Sequence, residues 1–489
     1  MFALFNLPKE RDKILTEVKI FLKSQVSVKI KFLGAAQTVT GSKYLIDSGN
    51  DKLLVDCGIF QGSREWRDKN WSDPPFNAAE IKAVLITHSH IDHIGFLPRL
   101  LRYGLNCPIY ATPSSCELAK ILLIDSAKLQ AEEAAWRTAT KRSRHPDPQP
   151  LYTEQEAENA LKLFQPVRFG EKIAPLTNSC AVWLPAGHIL GAAWLAVEIA
   201  GRRLIFSGDL GRYQAPILND PFSLKECKIE HGDFLAIEST YGNRLHSEEE
   251  PATKLADTIN RTAARGGAVI IPSFALGRAQ TILYYLRQLK FERKIPNIPV
   301  IVDSPMALDA SKIYASHTNE YDDQSLKTIK TGALPFIFEN LRFVRTQDES
   351  KDLNKIDAPM IIISASGMLS GGRILHHLYN RVGDPRNTIL FVGYQPEGGR
   401  GDWILKGAKS LTLFGEEVAI RAEIAELSGL SAHADRAELL TWAKAADNKP
   451  RKVAVTHGDP ASAIGFAKNL KDELGWQSNA PKYLEEWDI

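Results

Sequence analysis

Short apolar runs separated by Gly, Asn and Ser turns indicate that the first part of the chain is rich in β-strands. Such runs occupy residues 28–47, 52–58 and 81–87, and they return between residues 180 and 238. Residues 114–144 and 151–164 are instead rich in Ala, Leu, Glu and Lys, which predicts two helices. Residues 1–27 carry apolar positions at helical spacing and predict an N-terminal helical extension.

The pattern changes from about Tyr241, where each apolar strand is followed by a loop and a helix. AVIIPS precedes FALGRAQTILYYLRQLK, PVIVDSP precedes MALDASKIYASH, and MIIISAS precedes GMLSGGRILHHLYNRV. Apolar strands that alternate with helices are typical of a parallel sheet covered on both faces. After Asn387 strands return, and the last of them, RKVAVTHG, carries His457 at its end.

Composition narrows the class of protein. The chain has 489 residues, 44% hydrophobic and 24% charged, which excludes a disordered or fibrous protein. Lys plus Arg total 60 against 58 for Asp plus Glu, and a net charge of +2 argues against a bulk polyanion-binding surface. No apolar run is long enough for a membrane span, and the charged N-terminus predicts no secretory signal. Five cysteines without a CxxC pair favour reduced thiols and a cytoplasmic location.

The strongest candidate for a metal-binding catalytic site is THSHIDHIG at residues 87–95, directly after the apolar run AVLI. His88 and His90 alternate on one side of an extended segment and can reach one metal ion. Asp92 and His93 lie on the following turn and can face a second ion. Imidazole and carboxylate ligands without thiolate favour zinc, with manganese or iron left open on ligand type.

Other loops each bring one ligand-type residue to the end of a β-rich run or to a loop of small residues. These residues are Asp56 in LLVDCG, His188 in LPAGHILGAA, Asp209 in LIFSGDLG and His433 in LSGLSAHAD. A lone histidine in such a loop is more often a satisfied polar residue than a ligand. The shared placement of these residues nevertheless favours one metal centre.

The chain resembles the metallo-β-lactamase-fold hydrolases of the β-CASP nuclease family, in particular the bacterial and archaeal relatives of the mRNA 3′-end processing endonuclease. The resemblance covers about residues 28–460 and rests on motifs in the family's order. These motifs are VDCG, HSHIDHIG, AGHILGAA, FSGDLGR, ESTYGNR, IPSFALGRAQ, DSPMA, SASGML, GYQPEGG, SGLSAHAD and THGD. It implies an α/β fold, a metallo-β-lactamase αββα sandwich (residues 28–240 and 391–489) with an inserted parallel-sheet β-CASP domain (241–390).

The resemblance also implies roles for the ligand-type residues. One zinc ion would be held by His88, His90 and His188, and a second by Asp92, His93 and His433. Asp209 would bridge the two ions. Asp56 would orient a ligand or the attacking water from behind the ligands, as outer carboxylates do in metal sites.

Loops of the inserted domain are the candidates for binding substrate. SFALGR and SASGMLSGG offer hydroxyl groups, backbone N–H groups and helix N-termini that suit phosphate oxygens. The candidate residues are Ser273, Arg278, Ser364, Ser366 and Gly367. Arg278 could add a bidentate contact to phosphate, whereas the alternative reading makes these residues ordinary turn and cap positions.

Glu238, at the end of FLAIEST, matches the family's acidic motif and is a candidate for delivering a proton to the leaving oxygen, with a structural role as the alternative. The family's partner histidine is expected in the segment GYQPEGGRGDWIL, where Trp403 stands near the expected place and no histidine occurs. This departure suggests another proton donor, with His457 and water as candidates.

These features together predict a zinc-dependent ribonuclease that hydrolyses single-stranded RNA with water activated by two metal ions. His433 favours RNA over DNA, because the DNA-repair branch of the family lacks a histidine in the SAH motif. A DNA-acting nuclease, a small-molecule hydrolase such as a lactonase or thioesterase, and a non-catalytic RNA-binding paralogue are the alternatives. A homodimer or an RNA-processing complex, and the choice between endonuclease and exonuclease, remain open.

Overall fold

The structure is a computed structural model that describes residues 27–49, 51–140, 148–227, 232–247 and 249–489. The predicted N-terminal helical extension lies outside the described residues. No helix in the described part of the chain is long and apolar enough to cross a membrane.

Strands and helices follow one another along the whole described chain. The strands are β1 (Lys29–Phe32), β2 (Tyr44–Asp47), β3 (Lys52–Val55), β4 (Ile81–Leu85), β5 (Ile109–Ala111), β6 (Phe164–Pro166), β7 (Lys172–Ile173), β8 (Ser179–Pro185), β9 (Ala193–Ile199), β10 (Arg202–Phe206), β11 (Phe234–Glu238), β12 (Val269–Pro272), β13 (Val300–Asp303), β14 (Leu341–Phe343), β15 (Ile361–Ser364), β16 (Thr388–Phe391), β17 (Ser410–Leu413), β18 (Glu416–Ala419), β19 (Glu423–Glu426), β20 (Lys452–Thr456), β21 (Ser478–Asn479) and β22 (Glu486–Asp488). The α-helices are α1 (Arg64–Asp68), α2 (Ile91–Ile94), α3 (Leu97–Leu100), α4 (Pro113–Thr140), α5 (Glu154–Leu161), α6 (Pro251–Ala264), α7 (Arg278–Phe291), α8 (Pro305–Ser316), α9 (Asp323–Lys330), α10 (Gln347–Leu353), α11 (Arg373–Arg381), α12 (Arg400–Leu405), α13 (Arg436–Lys444) and α14 (Pro460–Leu474).

Two sheets packed face to face form the body of the protein. The first has the order β22-β1-β2-β3-β4-β5-β6, and the second has the order β21-β20-β11-β10-β9-β8-β7. Val55 of the first sheet and Trp183 of the second belong to one buried cluster between them. Helix α4 covers the outer face of the first sheet through Leu123, while α13 and α14 cover the second. This arrangement confirms the predicted αββα sandwich.

Strand β11 shows why the sandwich strands read as continuous apolar runs. Phe234 and Ala236 face the cluster between the sheets, whereas Leu235 and Ile237 face the helices on the other side. All five residues of the strand, FLAIE, are buried. Alternate side chains therefore enter different cores. Glu238, the last residue of the strand, lies at the carboxyl edge of the sheet.

A third sheet confirms the predicted parallel insertion. Its order is β14-β13-β15-β12-β16-β19, and each neighbouring pair is parallel. Ile270 and Ile271 of β12 belong to separate buried clusters on opposite faces of the sheet, so helices cover both faces. Strand β19 joins this sheet beside β16, so the sheet continues beyond residue 390 before the chain returns to the sandwich at α13.

Carboxyl ends of parallel strands bring the candidate ligands to one edge of the sandwich. Strands β3 and β4 run parallel, as do β10, β11 and β20. The residues that follow or end these strands are Asp56 after β3, His88 after β4, Asp209 after β10, Glu238 at the end of β11 and His457 after β20. Parallel strands end at the same edge, and the fold therefore assembles a site from segments distant in the sequence.

Candidate metal centre

Three imidazoles and one carboxylate form a first cluster at this edge. His88 Nε2 lies 3.1 Å from His90 Nδ1, and His188 Nε2 lies 3.3 Å from the same atom. Asp209 Oδ2 lies 3.4 Å from His88 Nε2 and 3.6 Å from His188 Nε2. Burial lowers the pKa of His88 and of His188 well below the usual value, which leaves these rings neutral with free lone pairs.

A second cluster consists of Asp92, His93 and His457. His93 Nε2 lies 3.1 Å from His457 Nε2, and His457 Nε2 lies 3.5 Å from Asp92 Oδ2. Asp209 Oδ1 is 3.4 Å from His93 Nε2 and 3.5 Å from His457 Nδ1. The two oxygens of Asp209 therefore face different clusters, which is the placement that a bridging carboxylate needs.

The backbone around Asp92 and His93 is held by unusually close packing of a neighbouring loop. Ser42 N donates to Asp92 O at 2.8 Å, and Cys57 N donates to His93 O at 2.7 Å. A Cβ atom at Gly58 would lie 1.5 Å from Asp92 O, so any side chain there would displace the ligand helix. The glycine of the VDCG motif therefore permits the close approach.

Asp56 fixes the orientation of the His93 ring. The side chain is fully buried, and its Oδ2 accepts a hydrogen bond from His93 Nδ1 at 2.7 Å. Further donors are Thr87 N at 2.8 Å and Ser42 Oγ at 3.2 Å. With the proton on Nδ1, the lone pair of His93 Nε2 points to the second cluster. Carboxylates behind the ligands of metal sites commonly fix the tautomer and orientation of a histidine ring in this way.

His433 occupies a different place from the one assigned to it by the sequence. Its Nδ1 lies 3.2 Å from Glu238 Oε1 and 3.9 Å from Asp209 Oδ2, while the third position beside Asp92 and His93 is taken by His457. The physical reason is strand pairing, since β20 runs parallel beside β11 and delivers His457 to the same edge. His457 follows an apolar strand as Asp209 does, and this signal could have identified it.

Glu238 and His433 form a pair beside the clusters. Glu238 is 1% exposed, and its carboxylate accepts from Leu210 N at 2.7 Å and from Thr240 N at 3.2 Å. Burial of His433 favours its neutral form, but the charge and hydrogen bond of Glu238 outweigh burial and raise the pKa of His433 to about 9. The histidine beside Glu238 is therefore His433 of the SAH motif, and not a residue of the segment around Trp403. Trp403 itself is 54% exposed on α12.

The donor atoms fit divalent metal ions. Within the described residues, His188 Nδ1 and Asp209 Oδ1 are buried without a hydrogen-bond partner. Burial by itself would raise the pKa of Asp209, but the neighbouring imidazoles of His457 and His93 hold it well below its usual value. A charged carboxylate between groups of converging imidazoles, with no thiolate, suits zinc and leaves manganese or iron compatible.

One loop of the third sheet packs beside the His188 loop, but several predicted substrate contacts point elsewhere. A Cβ atom at Gly277 would lie 3.1 Å from Ile189 Cγ2, so the loop 273–278 packs beside the residue that follows His188. Arg278 donates to the carbonyl oxygen of Val392, and burial lowers the pKa of Arg278 to about 10. Its guanidinium therefore braces the loop after β16.

The serine candidates divide into buried and exposed residues. Ser273 is 2% exposed and donates to Phe274 O, and Ser364 is 1% exposed and donates to Asp303 O at 3.0 Å. Ser366 Oγ is exposed and lies 2.9 Å from Ser370 Oγ. Gly367 O accepts from Gln395 Nε2 at 2.8 Å. Of these hydroxyls, that of Ser366 is open to a ligand.

Comparison with known proteins gives three consecutive family matches along the chain. The metallo-beta-lactamase superfamily matches residues 38–168, the Beta-Casp domain matches residues 279–404, and the Zn-dependent metallo-hydrolase RNA specificity domain matches residues 417–481. These matches agree with the sandwich, the inserted sheet and the return of the chain to the sandwich.

Individual proteins match over nearly the whole chain. A protein named Ribonuclease TTHA0252 from Thermus thermophilus is 37% identical, with 91% of this chain and 96% of that protein covered. A protein named Transcription termination factor FttA from Methanosarcina mazei is 30% identical, with 98% of this chain and 75% of that protein covered. A crystal structure of a protein of unknown function from Enterococcus faecalis shares the fold with a TM-score of 0.54 at 13% identity, covering 95% of this chain and all of that one. The protein belongs to the β-CASP family of metallo-β-lactamase-fold enzymes and is a metal-dependent hydrolase.

Proposed function

We propose that this protein is a ribonuclease that hydrolyses phosphodiester bonds of single-stranded RNA with two metal ions, zinc being preferred. The observation that carries the proposal is the placement of Asp209, whose two carboxylate oxygens face two separate clusters of ligand atoms. RNA is favoured because the C-terminal part of the chain matches an RNA specificity domain and a relative 37% identical is named a ribonuclease.

Each cluster supplies the ligands of one ion. His88, His90 and His188 would hold the first ion, and Asp209 would lie between the two ions. Asp92, His93 and His457 would hold the second, so that His457 replaces the His433 of the sequence-based assignment. Two such ions would lower the pKa of an attacking water and stabilise negative charge on the phosphoryl oxygens. Asp56 would keep the Nε2 atom of His93 directed at the second site.

Glu238 and His433 would deliver the proton to the leaving oxygen. The side chain of His433 is 21% exposed, whereas that of its partner Glu238 is fully buried, so of this pair only the imidazole is accessible from solvent. With Nδ1 hydrogen-bonded to Glu238, the proton available to a substrate is on Nε2. Although burial opposes it, the contact with Glu238 raises the pKa of His433 to about 9 and favours the protonated form that a general acid requires.

An exposed arginine beside this pair is suited to the phosphate backbone. The guanidinium of Arg244 lies 4.6 Å from the ring centre of Tyr241, and the Tyr241 ring lies 6.4 Å from that of His433. Tyr394, which is 58% exposed, lies close enough to Arg244 for that charge to oppose the rise in its pKa caused by burial. A cation and an exposed ring next to the reaction site can bind a phosphate and stack on bases without sequence preference.

The proposal is tested by cleavage of single-stranded RNA and DNA of one sequence, each labelled at the 5′ or at the 3′ end and separated on a gel. We expect metal-dependent cleavage of RNA, and the ladders from the two labels separate endonuclease from exonuclease action. Bis-p-nitrophenyl phosphate and a thioester are tested in parallel. Thioester hydrolysis without cleavage of RNA would reject the proposal, and faster cleavage of DNA would favour the DNA-acting alternative.

The remaining sequence-based predictions stay predictions. We propose a cytoplasmic protein whose sandwich is formed by residues 28–240 and 391–489 around an insertion at 241–390. A homodimer or an RNA-processing complex is proposed for its assembly, and size-exclusion chromatography with and without RNA tests it.

A further inference from the structure

The inserted domain makes a specific polar contact with the loop that carries His188. Glu320 lies in the short helical turn Thr318–Glu320 after helix α8. Its Oε2 accepts a hydrogen bond from Gly191 N at 2.6 Å, and its Oε1 accepts from Ser114 Oγ of helix α4. One carboxylate of the insertion therefore ties together a loop and a helix of the sandwich.

A second residue of the insertion supports the same loop. The hydroxyl oxygen of Tyr314, near the end of α8, accepts a hydrogen bond from Leu190 N at 3.3 Å. Tyr314 is 1% exposed and Leu190 is fully buried. Two successive backbone N–H groups of the His188 loop thus have their partners on the inserted domain, and each would be a buried, unpaired donor if that domain moved away.

The loop has no freedom to compensate for the loss of these contacts. Gly191 has a φ of 78°, and a Cβ atom there would lie 2.6 Å from the hydroxyl oxygens of Ser114 and Ser115. Its carbonyl oxygen accepts from Thr112 Oγ1 at 2.7 Å and from Ser115 Oγ at 2.9 Å. Gly191 is therefore held on both sides, by Thr112 and Ser115 through its oxygen and by Glu320 through its nitrogen.

Movement of this peptide must reach the metal ligand. His188 lies three residues before Gly191, and the loop between them is closed by hydrogen bonds from Ala192 N to Ile189 O and from Ala186 N to Ala192 O, both at 2.9 Å. A closed loop of this size shifts as a unit. Glu320 and Tyr314 are therefore linked to His188 through the hydrogen bonds of this loop.

We propose that Glu320 and Tyr314 are positioning residues that couple docking of the inserted domain to metal binding at His188. The inference rests on the proposed metal site, and it goes beyond it by giving the insertion a role in holding the metal as well as in covering the substrate. Coupling between two sites is reciprocal. Metal binding at the first cluster therefore stabilises the docked position of the segment 314–322.

The docked segment is well placed to report on this coupling. Asn219 N donates to Glu320 O at 3.2 Å, and Asp322 N donates to Ile217 O at 2.9 Å, so the segment adds backbone contacts to the sandwich. Its amide hydrogens exchange with solvent when it undocks. Their protection can be measured on the full chain with and without metal, independently of RNA cleavage.

The test uses Glu320→Ala in the full-length protein, with Glu320→Gln and Tyr314→Phe as milder variants. Zinc affinity is measured by competition with a coloured chelator, and amide exchange of peptides covering 314–322 is followed with and without zinc. We expect Glu320→Ala to weaken the first zinc site about 5-fold or more, within the range of site-to-site coupling, and to remove the zinc-dependent protection. Glu320→Gln keeps an acceptor for Gly191 N and should retain most of the affinity.

A matched control comes from a neighbouring contact between the same two domains. His317 Nε2 lies 3.0 Å from Glu117 Oε1 on α4, and within the described residues no hydrogen bond joins its side chain to the His188 loop, although its charge acts on Glu320. His317→Ala removes one contact between the inserted domain and α4 and should leave zinc affinity nearly unchanged. Equal zinc affinity and equal protection in Glu320→Ala and the wild-type protein would overturn the inference, as would an equal loss of affinity in His317→Ala. Failure of the wild-type protein to bind zinc, or no loss of zinc in His188→Ala, would instead refute the proposed metal site.

Discussion

Replacement of Glu238 by glutamine tests the proposed proton donor most directly. The change keeps the size of the side chain and removes its charge. Glu238 now accepts from Leu210 N, Thr240 N and His433 Nδ1, and a single amide oxygen cannot serve donors that approach both carboxylate oxygens. The amide NH2 group then faces one of the backbone donors, and the contact with His433 loses its charge assistance.

The free energy at stake follows from the pKa of His433. The surroundings raise it from 6.5 to about 9, which corresponds to about 3 kcal/mol in favour of the protonated ring. Without the Glu238 charge, burial lowers the pKa again, so a smaller fraction of the His433 rings carries the proton at neutral pH. Metal ions in the neighbouring clusters act in the same direction, because their positive charge disfavours a second cation.

The pH dependence of RNA cleavage follows from the pKa of His433. A general acid is active below its pKa, so the wild-type rate should fall as the pH rises towards the pKa of His433, which lies at or below about 9 once metal is bound, and in Glu238→Gln this alkaline limb should lie at lower pH. Single-turnover cleavage of end-labelled RNA across pH 5.5–10 measures the limb, and we expect a rate lower by about 100-fold at neutral pH. Zinc content measured on the same samples serves as the control. An unchanged pH profile with full zinc content would refute the assignment of the acid.

Four further perturbations test the site and its surroundings. His457→Ala should lower the zinc content of the purified protein by about one ion per chain, whereas His433→Ala should keep it and slow cleavage about 100-fold, and equal zinc contents would contradict the exchange of roles. Removal of metal by a chelator should abolish cleavage and lower the melting temperature, both restored by zinc, and an active metal-free protein would exclude the mechanism. Arg244→Ala should weaken RNA binding and reduce its salt dependence, while Arg342→Ala on the edge strand β14 should do neither. Equal salt dependence of RNA binding in Arg244→Ala and the wild-type protein would show that Arg244 does not contact the RNA. Gly58→Ala should destabilise the fold by about 2 kcal/mol or more in urea unfolding, since its Cβ would overlap Asp92 O; an unchanged midpoint would show that the loop can relax.

The positions of residues at strand ends explain which candidate ligands the sequence could place in the site and which it could not. The runs LLVDCG and LIFSGDLG predict Asp56 and Asp209 at the carboxyl edge, because a strand is recognised from its own residues. The choice between His433 and His457 depends on which strands are neighbours, and the pairing of β20 with β11 joins segments 218 residues apart that no local pattern links. The sequence analysis named both histidines as candidate site residues, but only the tertiary arrangement shows which of them faces Glu238.

Side-chain direction explains the outcome for the predicted substrate contacts. A serine at the end of a buried strand can turn towards a ligand or towards the nearest carbonyl oxygen, and the sequence does not distinguish these. Ser364 turns to Asp303 O and Arg278 to Val392 O, because both side chains are enclosed where unsatisfied donors are costly. Arg244 lies outside the predicted loops and close to Glu238 in sequence, and its exposure beside Tyr241 became evident only from the fold.

Two residues of the metal centre share a backbone feature that links the site to stability. Asp56 and His457 each follow a parallel strand and have φ values of 54° and 51°, in the left-handed region that side chains rarely adopt. Such a conformation costs about 1–3 kcal/mol and persists where surrounding contacts enforce it. The abrupt turn brings each side chain back over the edge of the sheet, where Asp56 meets His93 and His457 meets Asp92. Ligand atoms gathered in this way are stabilised by the ion that they bind, so metal should offset at the second cluster the strain that its assembly introduces.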